Sequence, residues 1–144
     1  MIKKTVKYED FNGNQVEESY FFHMTKGDLI DWAAEEDGGL VEKITSMTKE
    51  EDSTKIIPII KKIILKSYGV KSKDGKSFIK RPEDVENFQY TEAFSELYTE
   101  LSTNADAAVE FIEGILPKFD AETQKAIEEA RKQFEAEREN SEGK

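Results

Sequence analysis

Lys55–Lys80, KIIPIIKKIILKSYGVKSKDGKSFIK, joins an apolar helix to a glycine-punctuated basic loop. Ile56, Ile59, Ile60, Ile63 and Ile64 recur at helical spacing with Ile57 and Leu65 beside them, so the apolar stripe is wider than a surface helix needs. The helix is therefore expected at the centre. Burying each such side chain is worth roughly 1.5–3 kcal/mol, which makes this element the largest single hydrophobic contribution on offer. Pro58 is tolerated in the first turn if Ser53 or Thr54 caps the helix, and Gly69 is expected to end it. Beyond it, Asp74-Gly75 is a turn signal that allows a small hairpin ahead of Phe78 and Ile79. Gly69 and Gly75 invite a phosphate-loop reading. That reading fails, because the spacing is one residue too long and a helix precedes where a strand should.

The segment is also an electrostatic anomaly. The chain of 144 residues carries a net charge of −10, yet residues 61–81 hold eight Lys and Arg against Asp74 alone. One reading is a solvated loop that neutralises the protein's own acidic helices. The other is a docking patch for an acidic partner, with Lys71, Lys73 and Lys76 as its candidate residues. The overall negative charge argues against nucleic-acid binding, which needs a basic face that survives repulsion from the rest of the molecule.

Upstream, Thr5–His23 reads as a β-hairpin, with Val6 and Tyr8 alternating on one strand and Val16, Tyr20 and Phe22 on the other. A two-residue turn at Asn12-Gly13 would put the two apolar sets on opposite faces. A three-residue turn, Phe11-Asn12-Gly13 with Gly13 left-handed, instead pairs Tyr8 with Val16 and Lys7 with Glu17. This second register is the expected one. Thr25 and Asp28 resemble a capping box for a short helix carrying Leu29, Ile30, Trp32 and Ala33, closed by Gly38-Gly39. Leu40, Val41, Ile44 and Met47 carry another short stripe, and Thr48–Ser53 reads as a polar connection without calcium-loop spacing.

Downstream, Pro82 sits in the first turn of a further helix, followed by acids. Phe88–Leu101 places Tyr90, Phe94, Leu97, Tyr98 and Leu101 on one side of an amphipathic segment, and Asn104 caps Ala105–Leu116. Pro117 stops that helix and Asp120 opens the last one. From Ala121 to about Asn140 the apolar residues thin to Ile127, Ala130 and Phe134, a narrow stripe on a helix able to extend from the body. These three join the lysines as candidate partner-binding residues, and residues 141–144 are expected to be disordered.

The fold class that follows is α+β and mainly α: an N-terminal hairpin and a compact bundle of five or six helices. Residues 1–117 form the expected core domain, residues 118–144 an acidic helix and tail, and Ile60, Ile63, Ile64, Phe94, Leu97, Phe111 and Ile112 share one core. No cysteine and the single His23 leave no thiolate chemistry and no motif needing two imidazoles, so neither enzyme nor cofactor nor metal site is expected. No apolar run is long enough to span a bilayer and no leader pattern opens the chain, which places it in the cytoplasm. A small enzyme working with carboxylates alone would need an acidic cleft that no spacing specifies.

SYGVKSKDGKSFIK at Ser67–Lys80, FQYTEAFSELYTEL at Phe88–Leu101 and AAVEFIEGILP at Ala107–Pro117 resemble the tail assembly chaperones of long-tailed bacteriophages, particularly those infecting Gram-positive bacteria. The hairpin opening TVKYEDFNGNQVEE belongs to the same resemblance, which covers residues 1–117. It implies a protein that binds the aggregation-prone tape measure protein, helps the major tail protein polymerise around it, and is absent from the finished virion. It also implies a longer form made by ribosomal frameshifting, for which Gly143-Lys144 permits a slippery GGN-AAR run. A homo-oligomer is a further expectation, since a lone hairpin leaves strand edges open. The alternative of another class is a small acidic adaptor unrelated to tails.

Overall fold

The structure, a computed structural model, describes residues 1–35, 57–117 and 120–142. The chain divides into two compact units, Met1–His23 with Lys49–Ile115 and Met24–Thr48 with Leu116–Lys144. Four strands and six helices lie among the described residues: β1 (Ile2–Glu9), β2 (Gln15–Phe22), α1 (Lys26–Glu35), α2 (Ile57–Ser67), β3 (Tyr68–Lys71), β4 (Phe78–Ile79), α3 (Pro82–Gln89), α4 (Glu92–Thr103), α5 (Ala105–Ile115) and α6 (Ala121–Glu142). The expected hairpin and mainly helical α+β class are thus present.

In the first unit an antiparallel sheet of order β1-β2-β3-β4 packs one face on helices. The hairpin register is the one that parity demanded, with Lys7 opposite Glu17 and Tyr8 opposite Val16. Gly13 has φ +83°, the left-handed value that favours glycine, and the Asp10 carboxylate accepts from the Asn12 and Asn14 amides. Even-numbered positions of β1 and β2 face the helices: Val6 is buried, Lys4 reaches Glu100 of α4 at 3.2 Å, and Phe22 stands edge-on to Phe111 of α5 at 5.2 Å. Ile2 lies against Gly114 so closely that an added Cβ there would sit 2.9 Å from its Cδ1. Tyr68 stacks on Phe88 of α3 with centroids 4.3 Å apart. All seven residues expected in the core are buried.

Three local expectations are revised. α2 ends at Ser67, not at Gly69; the Ser67 hydroxyl donates back to the Ile63 carbonyl, and Gly69 enters β3 with an ordinary φ. The segment Phe88–Leu101 is broken at Tyr90-Thr91, because Thr91 turns the chain and caps α4, accepting from the Phe94 amide while donating to the Phe88 carbonyl. Tyr90 is consequently 69% exposed and not part of the core. Ser141 and Glu142 continue α6 instead of fraying.

In the second unit α1 and α6 pack along each other. The capping box is present: the Asp28 amide donates to Thr25 Oγ1, and the Thr25 amide donates to the Asp28 carboxylate. Asp120 caps α6, its Oδ1 accepting from the Thr123 amide at 2.8 Å and from the Thr123 hydroxyl at 2.6 Å. Those two bonds, helped by Lys26 at 3.5 Å, lower the Asp120 carboxyl to about 2. The proposed Ser53 or Thr54 cap, the Gly38-Gly39 stop, the stripe at 40–47 and the Thr48–Ser53 connection lie outside the described residues.

Candidate functional site

Because cross-strand partners share a face, the registers also define the side of the sheet turned away from the helices. Lys3 pairs with Phe21, Phe21 with Gly69, and Lys71 with Phe78, so these five residues line one continuous surface. Its floor is aromatic. The Phe78 ring lies directly over Gly69, where a Cβ would meet Cε2 at 2.6 Å, so only glycine lets the ring settle on the strand. The imidazole of His23 stands edge-on to Phe78 at 6.4 Å.

The basic residues are organised by this floor. Lys71 Nζ lies 4.7 Å from the Phe21 ring centre and Lys80 Nζ lies 5.8 Å from that of Phe78, both within reach of cation–π attraction. Lys80 additionally donates to the Lys66 carbonyl at 2.7 Å, near the end of α2 where carbonyls lack intrahelical partners. Lys73 and Lys76 lie instead on the turn between β3 and β4, exposed. That turn is closed tightly: the Ser72 hydroxyl and the Lys76 amide donate to the Asp74 carboxylate, the Ser77 amide donates to Ser72 Oγ, and Gly75 takes φ +73°. The same two donors to Asp74 hold its carboxyl below the ordinary value. It stays charged as an acceptor for the turn, and the lysines beside it project from a fixed frame.

Five of the six candidate residues thus fall into three settings. Lys71 belongs to the sheet face, Lys73 and Lys76 to the turn, and Ile127 and Ala130 to the interior of the second unit, 1% and 9% exposed. Phe134 lies outside the described side chains. Sequence reading missed the aromatic floor, although its signal was present: Phe21 has the parity opposite to Val16, Tyr20 and Phe22, so it had to face the other way.

Chemically the surface offers cations, π faces and backbone, which suits binding. Among the described residues no three His, Cys, Asp or Glu side chains gather to hold a metal, and no helix is long and apolar enough to cross a membrane. No curated protein and no solved structure matches the chain. A family model, that of the phage tail assembly chaperone, matches residues 1–144. The chain belongs to the phage tail assembly chaperone family.

Proposed function

We propose that this chaperone binds the tape measure protein in the host cytoplasm, keeps it soluble, and assists polymerisation of the major tail protein around it without entering the virion. It acts by binding and not by catalysis. The observation that carries this reading is the rigid basic turn: Lys73 and Lys76 are held beside Lys71 on a closed hairpin, without ion-pair partners among the described residues. A preorganised cationic edge loses little side-chain and loop freedom when an acidic segment of a client docks. The −10 charge of the whole chain keeps a chaperone–client complex soluble.

Ile127, Ala130 and Phe134 complete the proposed partner-binding set. Ile127 and Ala130 are buried in the unit that α1 and α6 share, so a client would use them only where α1 gives way. A frameshifted longer form of the chain is a further proposed partner; a GGGAAA-type heptamer over the codons for Gly143-Lys144, with an open overlapping frame, supports it, and slippage-resistant codons there remove it.

The test is co-expression with the tape measure protein. Soluble client that co-purifies with the chain is expected, and the triple variant Lys71→Glu, Lys73→Glu, Lys76→Glu should lose most of the captured client and most of its salt dependence. A client equally soluble with and without the chain refutes the reading. Undiminished capture by the folded triple variant removes the turn from it.

A further inference from the structure

We infer that the open face of the sheet is a docking surface for a second copy of this chain, which presents its acidic helices α4 and α5. This surface is distinct from the proposed client-binding turn except at Lys71, which belongs to both. Both halves of the contact lie in the first unit. The sheet face sets Lys3 and Lys71 around the half-buried rings of Phe21 and Phe78. On the other side of the same two-layer unit, residues 82–116 hold nine Asp and Glu and no Lys or Arg. Glu96, Asp106, Glu110 and Glu113 are exposed there and have no ion-pair partner among the described residues.

Acids in the same helix register repel, and Glu92, Glu96 and Glu100 stand four residues apart on α4. Like-charged pairs at that spacing destabilise a helix. Among the described residues only Glu100 is relieved, by Lys4. A basic surface brought by another copy would relieve the others, and the aromatic floor would supply the apolar centre that a contact needs.

Charge also dictates the symmetry. Glu9 and Glu17 share this face but lie towards the hairpin tip, so a two-fold contact centred on the Phe21 and Phe78 rings would set Lys3 and Lys71 against lysines, whereas the same centre on the helices sets opposite charges together. Because the two surfaces lie on opposite layers of one unit, each added copy exposes a fresh docking face. The assembly is therefore head-to-tail and grows by repetition, as a ring or an open array, not as a closed dimer.

The experiment is sedimentation velocity on the full chain over a range of concentrations, at about 0.1 M and about 1 M salt, where the screening length falls from about 10 Å to about 3 Å. The wild-type chain should pass through dimer to larger species at low salt and weaken at least about tenfold at high salt. Two neutralised variants separate the halves: Lys3→Gln with Phe21→Ser on the sheet face, and Glu96→Gln with Glu110→Gln on the helices. Each alone should remain monomeric. Mixed, they should form a one-to-one pair and nothing larger, because each supplies only one intact surface. Should the Phe21 change disturb folding by circular dichroism, Lys3→Glu alone serves for the sheet face. A wild-type chain that stays monomeric overturns the inference, as does a salt-resistant dimer or a mixture that fails to pair. A monomer that instead retards a single-stranded oligonucleotide reassigns the face. Lys3, Phe21, Glu96 and Glu110 lie outside the proposed client-binding set, so capture of the tape measure protein is read independently of self-association.

Discussion

Gly69→Ala isolates the contact on which the open sheet face rests. The new methyl would sit 2.6 Å from Cε2 of Phe78 and 2.9 Å from its Cδ2 and Cζ. Carbon atoms in contact sit about 3.5–4.0 Å apart, so the ring has to retreat by about 1 Å. Overpacking of this kind costs about 1–3 kcal/mol. The backbone itself accepts alanine, since Gly69 is not among the glycines of positive φ, and the smaller unfolded ensemble returns about 0.4–1 kcal/mol. The net loss should be about 1–2 kcal/mol, a fall in midpoint of roughly 4–8 °C for a chain of this size. Phe78→Ala removes the obstacle. In that background Gly69→Ala should become mildly stabilising, and the double-mutant cycle should show a coupling of about 2 kcal/mol. Urea unfolding read by tyrosine near-UV circular dichroism follows the relevant unit, because all five tyrosines lie in it and the single tryptophan lies in the other. An equal effect of Gly69→Ala in the two backgrounds would refute the argument, since the methyl would then not be meeting the ring.

Ile63 is fully buried in the first unit, so Ile63→Asp should abolish the folded state: the change forfeits roughly 1.5–3 kcal/mol of burial and leaves a carboxylate unpaired in a packed core. An unchanged thermal midpoint would mean that the core lies elsewhere. Thr91→Ala removes both the acceptor for the Phe94 amide and the donor to the Phe88 carbonyl, and should cost about 1 kcal/mol, with Thr91→Ser recovering most of it in the same melt. For Asp120 the folded carboxyl sits at about 2, below its ordinary 3.8, so its contribution is present above pH 3.8 and is lost as pH falls through about 2. Asp120→Asn should therefore melt below the wild type at pH 5, with the gap closing towards pH 2; a gap of constant size would show that the ionised cap is not the cause. Phe11, 78% exposed at the hairpin tip, should tolerate Phe11→Ser within about 0.5 kcal/mol of wild-type stability by urea unfolding.

Much of the fold was legible because local chemistry and tertiary packing agree. Gly13 could serve the left-handed turn position, and only the three-residue turn put Tyr8 and Val16 on one face, so the hairpin register followed from two residues and a parity argument. Thr25, Asn104 and Asp120 announced helix starts through side chains that do accept from the expected amides. What escaped was decided by contacts distant in sequence. Tyr90 has the spacing of a core residue, but Thr91 donates to the Phe88 carbonyl and breaks the helical run there. Gly69 has the place of a helix stop, yet its smallness serves a ring nine residues further on. The site was half legible for the same reason. Charge density pointed to the lysines, while the floor beneath Lys71 depends on strand pairing between residues 21 and 69, which no local pattern encodes.

The nesting of the two units bears on how the chain emerges during synthesis. Met1–His23 belongs with residues that extend to Ile115, and Met24–Thr48 belongs with Leu116–Lys144, so each unit begins before the other is complete. Ile2 finds Gly114 only after the chain through α5 has been made, and α1 finds α6 last of all. At about 5–20 residues per second, the wait between α1 and α6 is roughly 5–20 s. Contacts of such separation also slow the search itself. Through that interval Val6, Phe22, Leu29 and Trp32 have yet to meet the partners that bury them. The nascent chain therefore faces for some seconds the same hazard of exposed apolar surface from which it is proposed to shield its client.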